Sequence, residues 1–234
     1  MLLIFLITQL NQIHEICLRY RLPHPLHILQ NPPNKQKFKQ LVKSRVLDYW
    51  ETVLREECAQ LSSLKYFHPQ FMSLARPHPL WTSAGSSPAK VAMATVQSRM
   101  LSGRYRSQHL CSKWSPDKNG NCLLSTKCAN EIEDIDHILT KCEALEDIRH
   151  KLRDYTTEYA KHHPLIAPLL SEFCNTTSHL FCQFLLDCSV IPAVITAVQK
   201  DGPIIHQHLF EITRTWIYTL HKERMKRLGR WNFI

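Results

Sequence analysis

Glycine is scarce, five residues in a chain of 234. So low a content argues against a turn-rich β sandwich and against Gly-rich phosphate loops. Neither G-x-G-x-x-G nor G-x-x-x-x-G-K occurs, which removes dinucleotide and P-loop chemistry. There is no G-x-S-x-G nucleophile elbow, and no Asp-Asp pair to supply the two-carboxylate metal centre of a polymerase palm. Long apolar runs are missing as well. The longest, residues 1–7, falls far short of the ~20 residues that cross a bilayer. No basic stretch precedes it and no clear small-residue cleavage site follows, so neither a membrane association nor a signal peptide is expected.

Acidic residues are in deficit. There are 20 Asp+Glu against 29 Lys+Arg, a net charge of +9 and a pI near 9.2. The imbalance is local. Residues 1–121 hold 16 basic and 6 acidic side chains, residues 122–200 hold 7 and 11, and residues 201–234 hold 6 and 3. A basic front half suits a polyanionic partner; a merely soluble basic surface is the alternative. With 44% hydrophobic residues and 21% charged, the chain is globular. Nine cysteines, an odd number spread along the chain, point to reduced thiols and metal ligands and not to a secreted disulfide framework.

The apolar periodicity is helical. Phe38, Leu41, Val42, Val46, Tyr49, Trp50, Val53, Leu54, Cys58 and Leu61 recur at three- and four-residue steps over about six turns, and the aromatic stripe reads as core. Residues 23–34, with four prolines, read as an extended linker. Ser87, Pro88 and Gly103 supply a cap, a first helical position and a left-handed stop for a second helix. Leu145, Ile148, Leu152, Tyr155 and Tyr159 mark another. A long last helix carries Ile205, Leu209, Ile212, Trp216 and Leu220, with Lys222, Arg224, Lys226 and Arg227 suited to its negative C-terminus. No stretch alternates like a strand. The expected fold is mainly α: a helical domain with a small zinc-binding Cys-Cys-His-Cys insertion between helices. The expected segments are an N-terminal stretch and Pro-rich linker (1–34), a basic helical region (35–121), the zinc element (122–142) and a C-terminal helical region (143–234).

The chemistry-bearing candidate is Cys122-x5-Cys128-x8-His137-x4-Cys142. A structural zinc site takes four N/S ligands in a tetrahedron. Cys122 and Cys128 sit in a turn-like stretch. Ile132, Ile135, Ile138 and Leu139 fall at helical steps, placing His137 on a short helix with Cys142 at its end. Three thiolates and one imidazole around Zn²⁺ leave a charge of −1, which Lys127 and Lys141 can offset. The first spacing is wider than in a standard finger, and four unrelated residues packed as small hydrophobes are the competing reading. Four such ligands would leave no open position for a catalytic water. Glu131, Glu133, Asp134 and Asp136 read as the solvated face of the short helix. His24, His68 and His78, each followed by proline, read as loop residues.

Further strings carry a resemblance. They are Ser63-Leu64-Lys65-Tyr66-Phe67-His68-Pro69-Gln70-Phe71-Met72-Ser73-Leu74, Pro77-His78-Pro79-Leu80-Trp81, Met100-Leu101-Ser102-Gly103-Arg104-Tyr105-Arg106 and the Cys/His cluster. Phe184-Leu185-Leu186-Asp187-Cys188-Ser189, Thr213-Arg214-Thr215-Trp216, Arg224-Met225-Lys226 and Leu228-Gly229-Arg230-Trp231 complete the set. Together they resemble the region downstream of the reverse transcriptase domain in LINE-type (non-LTR) retrotransposon polyproteins, over residues 22–231. The resemblance implies a Cys-Cys-His-Cys element that binds zinc through Cys122, Cys128, His137 and Cys142, and a partner that is RNA or DNA. The polymerase and endonuclease parts of such polyproteins have no counterpart in this chain, so no enzyme and no small-molecule substrate are expected. Under this reading Arg99, Arg104, Arg106 and Lys113 contact phosphates, and Tyr105 and Trp114 offer stacking faces to unpaired bases. Core aromatics with snorkelling Arg stems are the alternative for that segment. For the whole chain the alternative is a helical scaffold that ignores nucleic acid.

Overall fold

The computed structural model describes residues 2–61, 64–71, 74, 76–115 and 117–229. Of the strings quoted above, Ser63, Met72, Ser73, Arg230 and Trp231 lie outside these residues. The chain divides into two compact units, residues 1–60 and 61–234. The expected basic region is thereby shared between them.

The first unit holds three helices, α1 (Leu2–Arg19), α2 (Pro25–Gln30) and α3 (Lys35–Gln60). Helix α3 follows the apolar periodicity over its expected length. It buries less than that pattern implies, since Cys58 alone is fully covered and Trp50 stays 47% exposed. Tyr49 meets Tyr20 edge to face at 5.1 Å. The proline-rich linker is not wholly extended. Pro25 occupies the first turn of α2, where its fixed φ is already helical and its missing N–H is not needed. His24 Nδ1 accepts the Leu26 N–H (3.2 Å) in the role usually given to Ser or Asp.

The second unit is mainly α too. Its helices are α4 (Pro79–Thr82), α5 (Pro88–Leu101), α6 (Gln108–Ser112), α7 (Glu146–His162), α8 (Ala167–Cys174), α9 (Ser178–Leu186), α10 (Pro192–Asp201) and α11 (Ile204–Arg227). Helix α11 runs through the centre against α4, α5, α7, α9 and α10. Its stripe at Ile205, Leu209, Ile212, Trp216 and Leu220 is buried, and Phe210, Thr213, Arg214 and Ile217 widen the buried arc to more than half its circumference. Gln97 of α5 is fully buried and gives its amide N–H groups to Leu185 O, Leu186 O and Thr213 Oγ1, which joins three helices at one point. Trp216 donates to Thr156 Oγ1 (2.7 Å) and fastens α11 to α7. Buried Arg214 donates to Leu80 O, Ser83 O and Ser83 Oγ, satisfying the end of α4. His78 repeats the capping role of His24. Its Nδ1 accepts the Leu80 N–H, which leaves Nε2 to donate to buried Asp187 (3.2 Å). Two of the histidines read as loop residues are therefore helix caps. Among the described residues, β pairing is confined to one isolated antiparallel bridge, Asn121 with Ile132. No helix among them is long and apolar enough to cross a membrane.

Candidate metal centre

The metal-ligand candidates are brought together by a bridge and a turn. Cys122 N–H donates to Glu131 O (2.9 Å), and Glu133 N–H donates to Gly120 O (3.0 Å), flanking the Asn121–Ile132 bridge. Residues 123–130 form the loop that this pairing closes, and Cys128 lies near its return. A wide first spacing thus becomes a hairpin-like loop whose pairing brings Cys128 back against Cys122. Gly120 is required at the entry. Its φ is +74°, and a Cβ there would stand 2.8 Å from Ser112 Oγ on α6.

Asp134 Oδ1 accepts the His137 N–H (2.8 Å) and caps the next turn. Residues His137–Lys141 then wind as a π turn, and Cys142 N–H closes it onto His137 O (2.7 Å). The x4 spacing is what an i to i+5 closure spans, so both ligands return to one end of the turn. Ile132, expected on this helix, is instead the bridging residue and 56% exposed, whereas Ile138 and Leu139 are fully buried.

Cys122, Cys128, His137 and Cys142 converge. One ligand atom from each lies within 4.8 Å of the others, and all four side chains are buried. Cys128 Sγ is 3.4 Å from Cys122 Sγ, which is 3.8 Å from Cys142 Sγ. Thiolates on a tetrahedral ion with bonds of ~2.3 Å stand roughly 3.8 Å apart. His137 is 2% exposed, yet neither ring nitrogen makes a hydrogen bond. Glu131 Oε2 stands 3.0 Å from His137 Nδ1, outside hydrogen-bond alignment. A buried imidazole whose nitrogens make no hydrogen bond is costly unless something ligates it. Burial and the neighbouring thiols push the Cys142 thiol well above its ordinary range, and burial raises that of Cys122. A dication reverses that balance. The four residues can therefore hold a metal ion. All nine cysteines are free thiols.

Its charge environment differs from the expected one. Lys127 is exposed and lies 3.5 Å from Glu143, and Lys141 is exposed. The buried cation is Arg149 of α7, which donates to Cys142 O (2.6 Å) and pairs with Glu146. Of the neighbouring carboxylates, Glu131 is exposed as expected, but Glu133 and Asp136 are not a solvated face. Asp136 accepts from Lys65 Nζ and Tyr66 OH, tying residues 64–67 to the turn. Glu133 is fully buried. Its Oε1 accepts the Gln108 N–H (2.9 Å) and pairs with Arg224 of α11, also buried. Arg224 donates in addition to Arg106 O (3.2 Å). One ion pair thus joins the metal element, the basic segment and the central helix.

The basic segment is partly as expected. Arg99, Arg104, Arg106, Lys113 and Trp114 are exposed, Trp114 at 68%. Tyr105 is not. Its ring is buried at 6% exposure, 5.4 Å from the Arg224 guanidinium, and its hydroxyl meets His221 Nδ1 at 2.9 Å. It is a core residue and offers no stacking face.

Burial, with Arg224 and Arg99 nearby, pushes His221 down to about 4. An unfolded His titrates near ~6.5. Below that pH the unfolded chain binds a proton the folded chain refuses, so stability falls between pH 6.5 and 4 and is fully present above. Urea midpoints at pH 7.5 and pH 5 should drop more for wild type than for His221→Phe; equal drops would remove His221 as the cause.

Compared with protein-family models, curated proteins and solved structures, the chain matches none.

Proposed function

We propose that the chain is a non-catalytic module, derived from a LINE-type retrotransposon, that binds one structural zinc ion and uses its basic segment to bind RNA or single-stranded DNA. The observation that carries this is the convergence of three cysteines and a buried histidine whose ring nitrogens make no hydrogen bond. Three sulfurs and one nitrogen in a closed, four-ligand arrangement suit zinc. The ligand set leaves no position for an activated water, which favours a structural role over hydrolysis.

The nucleic-acid reading rests on where that element is bolted. Glu133 and Arg224 hold the backbone at Arg106 and Gln108, so the metal element fixes the stretch from Arg104 to Trp114. Its exposed cations suit phosphates, and Trp114 supplies the aromatic face. Labelled single-stranded RNA, titrated at several salt concentrations, tests this. Affinity should fall steeply with salt. Arg104→Gln/Arg106→Gln/Lys113→Gln should lower the slope by about 2, and Trp114→Ala should weaken binding by about 1–3 kcal/mol. Salt-independent or absent binding would favour a helical scaffold.

A further inference from the structure

Helix α3 of the first unit carries a second cationic surface. Lys35, Lys39 and Lys43 follow at four-residue steps, a ladder rising ~6 Å per rung. All three are exposed, and among the described residues no ion pair involves them. No acid occurs in α3 before Asp48. The arrangement opposes itself electrostatically. Like charges at i, i+4 repel, and cations near a helix N-terminus meet the positive end of the dipole. The amides there are already occupied in part, because Asn34 Oδ1 accepts the Gln36 and Lys37 N–H groups. The side chains are therefore the available receptor.

The ladder lies across the helix from the cavity that Phe38 and Leu41 line. Lys37, Phe38 and Leu41 line a cavity of about 320 Å³ against Pro23, Ile28 and Pro33. At 3.6 residues per turn, Lys35, Lys39 and Lys43 fall on the other side of the helix. Gln36 and Gln40 flank them and are also exposed. Ammonium groups interleaved with amide donors suit phosphate and sugar oxygens. A lipid surface would want exposed apolar residues between the cations; the apolar residues of these turns, Phe38, Leu41 and Val42, are half-buried.

We infer that the Lys35–Lys39–Lys43 face of α3 is a sequence-independent contact for a nucleic-acid backbone, separate from the basic segment of the second unit. For the class of partner this rests on the reading above. The test uses the full chain with Lys35→Gln/Lys39→Gln/Lys43→Gln, the matching triple Lys→Arg variant, and Arg104→Gln/Arg106→Gln/Lys113→Gln. Gln and Arg keep helix propensity close to that of Lys, and circular dichroism checks the fold. Each protein is titrated with single-stranded RNA over a salt series and with phosphatidylserine vesicles. The expected result is a slope of log affinity against log salt shallower by about 2 in the Gln variant and unchanged in the Arg variant. An unchanged slope in the Gln variant, with a reduced one in the Arg104 variant, would overturn the ladder and leave the basic segment standing. A reduced slope in the Gln variant alone would keep the ladder and overturn the basic segment. Loss of vesicle binding with RNA binding intact would reassign the face to lipid. No RNA binding by wild type would overturn both.

Discussion

With zinc held as proposed, chelation is expected to unfold the element from Gly120 to Leu145 while α9 and α11 stay folded. Structural zinc contributes ~10–16 kcal/mol in small modules that depend on it. Without it, three buried thiols stand within 3.8 Å along the Cys128–Cys122–Cys142 chain, and neither ring nitrogen of buried His137 makes a hydrogen bond. What remains to hold residues 123–130 is the bridge with its flanking hydrogen bonds, local turn hydrogen bonds, the exposed Lys127–Glu143 pair and the packing of Leu124. The readout is amide hydrogen exchange with and without a chelator. Protection should be lost at the amides of Cys122, Glu133, Ile138 and Cys142, each hydrogen-bonded to a carbonyl in this element. It should persist at Phe210 and Trp216, which lie in the packed centre of α11. Cys142→Ser should reproduce the pattern without chelator. Cys111→Ser, outside the cluster, should not. Unaltered protection after chelation would mean that hydrophobic packing alone holds the element.

Glu133→Ala is expected to cost about 3–5 kcal/mol, the usual loss when one partner of a buried ion pair is removed. Both partners are nearly inaccessible to water, so the Arg224 guanidinium would be left buried with neutral carbonyl, phenol and thioether partners. The Gln108 N–H at the start of α6 would lose its acceptor at the same time. Glu133→Gln keeps an acceptor for Gln108 and should cost less. Glu133→Leu/Arg224→Met should recover much of the loss, because two apolar groups leave no buried charge. Urea denaturation of Glu133→Leu, Arg224→Met and the double closes a mutant cycle. A loss below 1 kcal/mol for Glu133→Ala would show that water reaches the pair.

Much of this was legible as periodicity. The apolar steps in α3, α7 and α11 mark those helices, and Pro88 and Gly103 bound α5 as expected. The four metal-ligand candidates were legible from residue type, and their convergence was not, because it depends on the bridge between Asn121 and Ile132. A single bridge leaves no alternation for a sequence pattern to reveal. Charge misled most. Arg224 reads as a helix-end cation and Glu133 as a solvated acid, yet each lies in the core because the other is there. The signal was present in α11, where the stripe through Trp216 and Leu220 continues by four to Arg224. Tyr105 failed for the same reason, since a tyrosine among arginines reads as a surface until α11 is packed on it. The helix caps at His24 and His78 escape notice because histidine is an uncommon cap.

The most direct test of the metal centre is zinc per chain by elemental analysis, on reduced protein washed with a weak chelator. Wild type should carry about one zinc. Cys142→Ser should carry none, and Cys111→Ser should match wild type. A well-folded wild type without zinc, or a Cys142→Ser variant that keeps it, would contradict the assignment of Cys122, Cys128, His137 and Cys142 as its ligands.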